Sequence, residues 1–360
     1  MPRLLVYGAN GYTGSLIARE AVRRGLEPIL VGRDAVAIQR LAGELGCEAR
    51  VAGLADSGAL GRALAGVRVV LHCAGPYSAT AAPMIRACLA GGVHYLDITG
   101  EIDVFEAAHA LDGDAVAAGV VLCPGIGFDV VPTDCVAARL AAALPDATYL
   151  ALGFDSRSGQ SPGTARTTVE GLAKGGRIRS AGRIVEVAHA FRTRDIDFGS
   201  GTKSAVTIPW GDVSTAYYTT GIPNIEVYVP MAPRPLAMLR RLNRIAPLLR
   251  LGLVQSLLKA QAARSSPGPG EDARRGTPMH VWGEVQAPSG ELRTARLVVA
   301  NGYDLTVQAS LGVAGHMLDY GGPGGYCTPS QLMGSGFVED LPGSGRIEIS
   351  AGRAWEPRRS

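Results

Sequence analysis

Lysine is nearly absent from this 360-residue chain, with Lys174, Lys203 and Lys259 the only three. Arginine carries the remaining positive charge, and the formal net charge is only +3. Aromatic residues make up 6%. A nucleic-acid binder needs a concentrated basic face with rings placed to stack bases, so no nucleic-acid partner is expected. The six cysteines are scattered without a C-x-x-C pair, most of them in apolar runs. That suits small buried side chains in a reducing compartment rather than a disulfide framework. None of the six histidines stands at ligand spacing from another, so no metal site is expected. No apolar run approaches the ~18 residues that span a bilayer. The residues after Met1 lead into a strand and a glycine loop instead of a secretory signal. The expectation is a cytoplasmic protein. What the chain does have is apolar bulk: 47% hydrophobic residues against 19% charged, enough at this length for two packed cores. Its 48 glycines suit many tight turns and close backbone approaches.

The N-terminal third is the most legible. Arg3 to Tyr7 reads as a short apolar strand that runs into Gly8-Ala9-Asn10-Gly11-Tyr12-Thr13-Gly14 and then a helix over 15–24. In this G-x-x-G-x-x-G spacing, Gly8 permits the sharp turn, Gly11 lets the backbone approach a pyrophosphate, and Gly14 lets the helix lie close on the sheet. Free N–H groups and the positive end of the helix dipole then face the phosphates. A second strand, 28–31, ends in Gly32-Arg33-Asp34. An NAD site wants a carboxylate about 20 residues after the loop, whereas an arginine there clamps a 2′-phosphate. Arg33 therefore points to NADP, and Asp34, one residue on, keeps the NAD reading open. Helices over 34–45 and 57–65, with a short strand 49–51 between them, lead to a buried strand, 67–73, that ends in Ala74-Gly75-Pro76-Tyr77. A helix over 82–90, a strand 94–98, a helix over 104–118 and a strand 120–123 complete the alternation. The pattern predicts an α/β fold, a Rossmann doubly wound parallel sheet spanning 1–130.

These motifs resemble a known family. The loop 8–14 with Gly32-Arg33 is similar to the NADP-binding domain of the saccharopine dehydrogenase-like oxidoreductases. So are 74–77, Tyr95-Leu96-Asp97 through Gly100-Glu101, and Gly127-Phe128-Asp129 through Pro132-Thr133-Asp134. The likeness covers residues 1–140 and resumes near Gly324 to Pro329. It implies an NADP-dependent enzyme with a cofactor set of Gly8, Asn10, Gly11, Tyr12, Thr13, Gly14, Arg33, Ala74, Gly75, Pro76 and Tyr77. A C-terminal helix, about 325–345, is expected to return to the cofactor domain. The family includes enzymes that form or split an amino-acid-derived secondary amine, and trans-acting enoyl reductases. Residues 159–164 and 210–228 are more similar to the enoyl-reductase branch. Short-chain dehydrogenases share the glycine loop but use Tyr and a Lys four residues later. Glu170, Gly199 and Gln255 stand in that place here, so that pair is missing.

From Thr148 the pattern changes to strands at 149–154, 182–187 and 221–229, a helix over 164–174, and a hairpin of 280–287 with 292–300. This predicts a second, α+β domain on a mixed sheet over 131–324, a substrate and dimerisation domain. The resemblance implies that its strands pair into a homodimer. Residues 265–270 read as a surface linker, 304–318 as a helix and 329–337 as a final helix. Between Glu226 and Glu271 there is no acidic residue, while arginines interleave with leucines over 234–264. That stretch could lie on a membrane surface or a carrier protein, or simply cover the core. Hydride transfer leaves the protein to supply placement and a proton. The candidates are Tyr77, Asp97, Glu101 and Asp129, each at a strand end, with helix capping as the alternative role of the carboxylates. The expected function is reduction of a C=C or C=N bond in an apolar small-molecule or acyl substrate. The alternatives are a saccharopine-type dehydrogenase, for which Arg157, Arg166 and Arg177 are available, and a protein that binds NADPH without turnover.

Overall fold

The computed structural model describes residues 3–156, 174–243 and 278–352, together with 169, 171, 254 and 261. The chain divides into two compact units, Met1–Asp129 with Tyr303–Met333 and Val130–Gly302 with Gly334–Ser360.

The first unit holds seven parallel strands in the order β15-β6-β5-β4-β1-β2-β3. They are β1 (Leu4–Tyr7), β2 (Ile29–Gly32), β3 (Ala49–Val51), β4 (Val69–His72), β5 (His94–Asp97), β6 (Val121–Cys123) and β15 (Gly325–Tyr326). The helices between them are α1 (Tyr12–Arg23), α2 (Ala35–Leu45), α3 (Ser57–Leu64), α4 (Tyr77–Gly91), α5 (Ile102–His109) and α6 (Asp112–Ala118). Alternate residues of each strand point to opposite faces. One face packs Leu5, Val31, Val70, Tyr95 and Leu122 against α3 and α4 in a single core, which includes Leu60, Met84, Ile85 and Cys88. The alternating set, Leu4, Val6, Leu71, Leu96 and Val121, is also fully or nearly fully buried, so the other face is covered as well. A parallel sheet requires this.

Right-handed crossovers place α1 and α2 over β1 to β3 on that second face, leaving β4 to β6 to be covered by another element. A helix returning from the far end of the chain, Gly302–Leu318, fills the gap. Thr306 Oγ1 accepts the Phe128 N–H at 3.0 Å beyond the carboxyl end of β6. At the other end of the helix, the Tyr320 ring lies 6.0 Å from that of His94, and its carbonyl accepts from Arg68 at 2.5 Å, next to the amino ends of β5 and β4. Leu305, Leu311, Val313, Ala314 and Met317 are buried along it. The returning segment thus runs from 303 to 333 rather than being a helix near 325–345, and residues 334–360 belong to the second unit. Two further boundaries differ from expectation. The helix after β4 begins at Tyr77, five residues early, and carries Pro83 within its first half. The helix expected over 104–118 is broken at Ala110-Leu111. The break frees Asp112 to open α6 and accept the Tyr326 N–H at 2.7 Å, which holds β15 on the sheet edge.

The second unit is a nine-stranded mixed sheet. Its main path is β10 (Thr193–Asp197), β11 (Thr202–Ile208), β12 (Asn224–Pro230), β7 (Tyr149–Asp155), β13 (Met279–Gln286), β14 (Leu292–Val299) and β16 (Glu348–Ala351). The hairpin β8 (Gly176–Ser180) and β9 (Arg183–Val187) attaches at β12. Only the β12–β7 pair on this path is parallel. Strands β8, β10, β11 and β16 were not legible in the sequence. Nor was the helix α8 (Asp212–Thr220), which takes the residues just before the expected strand 221–229. Most of the expected helix over 164–174, the linker 265–270 and most of 244–264 fall outside the described residues; Val169, Gly171 and Lys174 are helical. Helix α7 (Val131–Ala143) packs directly on β13, where a Cβ on Gly283 would stand 2.6 Å from Val136 Cγ1 and 2.7 Å from Leu140 Cδ1. Thr219 of α8 donates to Asp134 of α7. Elsewhere on the sheet, Glu226 takes hydrogen bonds from Tyr149 Oη at 2.8 Å and Arg192 at 2.6 Å, and Arg194 pairs with Glu284 at 3.0 Å. Further helices among the described residues are α9 (Pro233–Leu242), α10 (Gly302–Leu318, in the first unit but for Gly302) and α11 (Pro329–Met333).

Because Gly283 is pinned under α7, we expect Gly283→Ala to lower stability by about 1–3 kcal/mol through overpacking. Urea unfolding should show a lower midpoint with an unchanged m-value.

Candidate functional site

The loop between β1 and α1 is built by close approach. Gly8 adopts φ +78, and a Cβ there would stand 2.8 Å from the Ala74 Cβ. A Cβ on Gly14 would stand 2.3 Å from the Gly8 carbonyl oxygen, so only glycine lets α1 lie this near the strand. The N–H groups of Gly8 and Ala9 both turn inward to the Val31 carbonyl, at 2.7 and 3.3 Å, and tie the loop to β2. Asn10 lies over the end of β2, where a Cβ on Gly32 would stand 3.0 Å from its Oδ1. Helix α1 begins at Tyr12 with Gly11 as its N-cap, no capping side chain and no acidic residue in the first turn. The first-turn N–H groups of a helix have no intrahelical acceptor. This end therefore keeps its positive character for an anion. Thr80 Oγ1 donates toward the carbonyls of Ala74 at 2.6 Å and Pro76 at 3.0 Å, which shapes the facing loop 74–76. The loop 8–14, the end of β2 and the loop 74–76 are thus brought together. A glycine cradle that any Cβ would fill, set at an uncapped helix start, fits a dinucleotide pyrophosphate.

The end of β2 separates the roles of Arg33 and Asp34. Asp34 is the N-cap of α2 and accepts the Ala37 N–H at 3.0 Å. Arg33 is exposed, and its charge reaches Tyr7, countering part of the upward pull of burial on that phenol. The cation stands at the cofactor edge of the sheet, and the carboxylate is engaged by its own helix.

The four residues expected to carry chemistry also gather, at the carboxyl ends of β4 to β6, but three of them hold the fold. Tyr77 is the first residue of α4; its ring packs edge-on to His72 at 5.4 Å, and its hydroxyl donates to the His72 carbonyl at 3.3 Å. Burial, and the charges of Asp97, Glu101 and Asp129, hold its phenol well above the usual range. Glu101 accepts the N–H groups of Tyr77 and Ser78, both at 2.8 Å, and so caps α4 from a neighbouring loop. Asp97 is fully buried and accepts from Tyr95 Oη at 2.6 Å, Thr99 N–H at 2.9 Å and Gly125 N–H at 2.8 Å. Burial still raises its carboxyl to about 6 against those three bonds. Asp129 differs in being half-buried, with burial raising its carboxyl to about 7. It lies against Gly100, where a Cβ would stand 2.8 Å from its Oδ2.

The structure adds residues that the sequence did not single out. His72 is fully buried, faces Thr80 Oγ1 at 3.0 Å through Nε2, and is pushed down to about 3, so it stays neutral. Tyr303, at the start of the returning helix, packs edge-on to Tyr12 of the glycine loop with ring centroids 5.0 Å apart. Its only sequence signal was the Asn301-Gly302 turn before a helix. No group of three or more potential metal ligands occurs among the described residues, and no helix among them is long and apolar enough to cross a membrane.

The fold and the loop define the first unit as a Rossmann-type dinucleotide-binding domain. Residues 4–123 match the family model of the saccharopine dehydrogenase NADP-binding domain. The match covers a third of the chain, and the cofactor it names is NADP. The saccharopine dehydrogenase-like oxidoreductase of Homo sapiens is 29% identical over 153 residues, which cover 36% of this chain and 35% of that protein. A trans-acting enoyl reductase of Mycobacterium ulcerans is 28% identical over 142 residues, covering 36% of this chain and 33% of that protein. The chain thus spans about a third of the length of these curated relatives. Among solved structures, apo saccharopine dehydrogenase (L-Glu forming) from Saccharomyces cerevisiae superposes with a TM-score of 0.63 at 11% identity, covering 98% of this chain and 100% of that one. That likeness is one of fold.

Arg33→Ala should remove at least a ten-fold preference for NADPH over NADH, read by titrating nicotinamide fluorescence. Asp34→Ala should keep the preference and cost about 1 kcal/mol of stability as a lost cap. Equal binding of the two cofactors by the parent protein would sink the role of Arg33.

Proposed function

We propose that the protein is an NADP(H)-dependent reductase of a C=C or C=N bond in an apolar small-molecule or acyl substrate, with Asp129 as its proton donor. When bound, NADPH supplies the hydride. This chain must then hold the substrate and deliver one proton to the other atom of the double bond, so that hydride and proton together complete a two-electron reduction.

The observation that carries the reading is the charge pattern at the ends of β4 to β6. Asp97, Glu101 and Asp129 all act on Tyr77, whose phenol is held up by burial and by these charges. A substrate with several carboxylates would meet three acids there. An uncharged one would meet the half-buried Ile98 beside them. Asp97 and Glu101 are engaged by backbone N–H groups, and Tyr77 is held too basic to give up a proton near neutrality. Asp129 combines partial exposure with a carboxyl that keeps its proton up to about pH 7. The amino-acid-conjugate alternative relied on Arg157, Arg166 and Arg177. The first two lie outside the described residues, and Arg177 stands on β8 in the second unit. The likeness to a named enoyl reductase supports the same choice of bond.

The protonated form of Asp129 is the active one, so single-turnover reduction should hold steady below about pH 7 and decline above it. Asp129→Asn should slow turnover by roughly 10²–10⁴-fold and leave NADPH affinity unchanged. Stability should respond with a defined sign. Burial raises the folded carboxyl to about 7, above its ordinary 3.8, so between these values the folded state holds the extra proton. Stability from this group therefore falls as pH rises through that window. Asp129→Asn should flatten that slope in thermal unfolding. An Asn variant that turns over at the parent rate would rule out the donor role.

A further inference from the structure

Helix α9 (Pro233–Leu242) differs from the other α-helices of the described residues in that none of its own residues is buried. At 100° per residue it divides into two faces. Leu236, Met238, Leu239 and Leu242 share one side, and Arg234, Arg240 and Arg241 the other. The three leucines are half-buried, and Met238 is 66% exposed. The helix is nonetheless fixed at its end. Asn243 accepts the His189 N–H at 2.8 Å and donates to the His189 carbonyl at 3.1 Å. Two residues beyond His189, Phe191 is 43% exposed, with the Arg192 guanidinium 5.2 Å over its ring. Two of the most exposed large apolar side chains of the chain therefore flank one anchored point. The surrounding sequence, 227–270, contains no acidic residue.

We propose that α9, with Phe191, is a docking surface for an anionic lipid bilayer. A basic amphipathic helix lies in the bilayer interface with its apolar side chains at the acyl boundary and its arginines among the headgroup phosphates. Both halves of α9 are satisfied there at once, whereas in water Met238 and the outer parts of the half-buried leucines are left uncovered. An acidic protein would satisfy the arginines alone. Its hot-spot side chains need pockets to receive them, and here the apolar tips of Met238 and Phe191 protrude instead. This surface does not depend on the reductase reading, and it would bring the protein to a source of apolar substrate.

The test uses the full chain and sedimentation with vesicles of phosphatidylcholine containing 30% phosphatidylglycerol, against phosphatidylcholine alone. The mixed vesicles should bind the protein, and binding should weaken as salt screens the charges. Arg240→Glu with Arg241→Glu should weaken it at least about ten-fold. Phe191→Ser with Met238→Ser should weaken it several-fold, and because both residues are exposed the melting temperature and NADPH affinity should not change. Absence of binding to the mixed vesicles at low salt, or variants that bind as the parent does, would overturn the proposal. So would a parent protein that ignores vesicles but captures an acidic acyl carrier protein through the same arginines.

Discussion

A parallel sheet has to be covered on both faces, and that constraint organises the first unit. The local crossovers supply helices for one whole face and for β1 to β3 of the other. The remaining surface, over β4 to β6, is apolar and would be exposed without the helix Gly302–Leu318. The chain therefore builds a complete second unit and then returns. Once it returns, other contacts follow. Thr306 fixes the backbone at Phe128, β15 extends the sheet beside β6, and Tyr303 arrives against Tyr12 of the glycine loop. The cofactor loop is local in sequence, but its aromatic neighbour comes from about 290 residues away.

The same economy governs the acids at the strand ends. Backbone N–H groups freed by tight loops and helix starts need acceptors, and carboxylates are the strongest ones available. Glu101 serves the start of α4, and Asp97 serves the turns at Thr99 and Gly125. These bonds hold the loops that surround the cofactor edge in one arrangement. Beside them, burial raises the Asp129 carboxyl to about 7.

Much of this was legible in the residues. The order of elements from β1 to β6, the glycine cradle and the arginine at the end of β2 follow from short-range patterns: alternation, helical period and glycine spacing. The dinucleotide class and the NADP preference came with them. The sequence also marked 234–264 as basic and apolar without saying which residues stay uncovered. Helix starts were less legible, and Tyr77 shows why. Its five-residue advance on the expected helix rests on Glu101, a cap 24 residues away that no local propensity reports. The strands of the second unit were partly missed because their pairing partners, such as β7 with β12 and β13, lie up to 137 residues apart. Strand identity there is decided by pairing rather than by pattern.

The sequence by itself determined that the chain opens with a dinucleotide fold, because each glycine and each turn of that motif meets a steric demand within a few residues of itself. Tertiary structure alone decided which acids are engaged in holding loops and helix starts. The reason is that the N–H groups of Tyr77, taken by Glu101, and of Gly125, taken by Asp97, are brought up only by folding. The same holds for Arg33 and Asp34, adjacent in the chain, whose roles part only when the carboxylate folds onto its own helix.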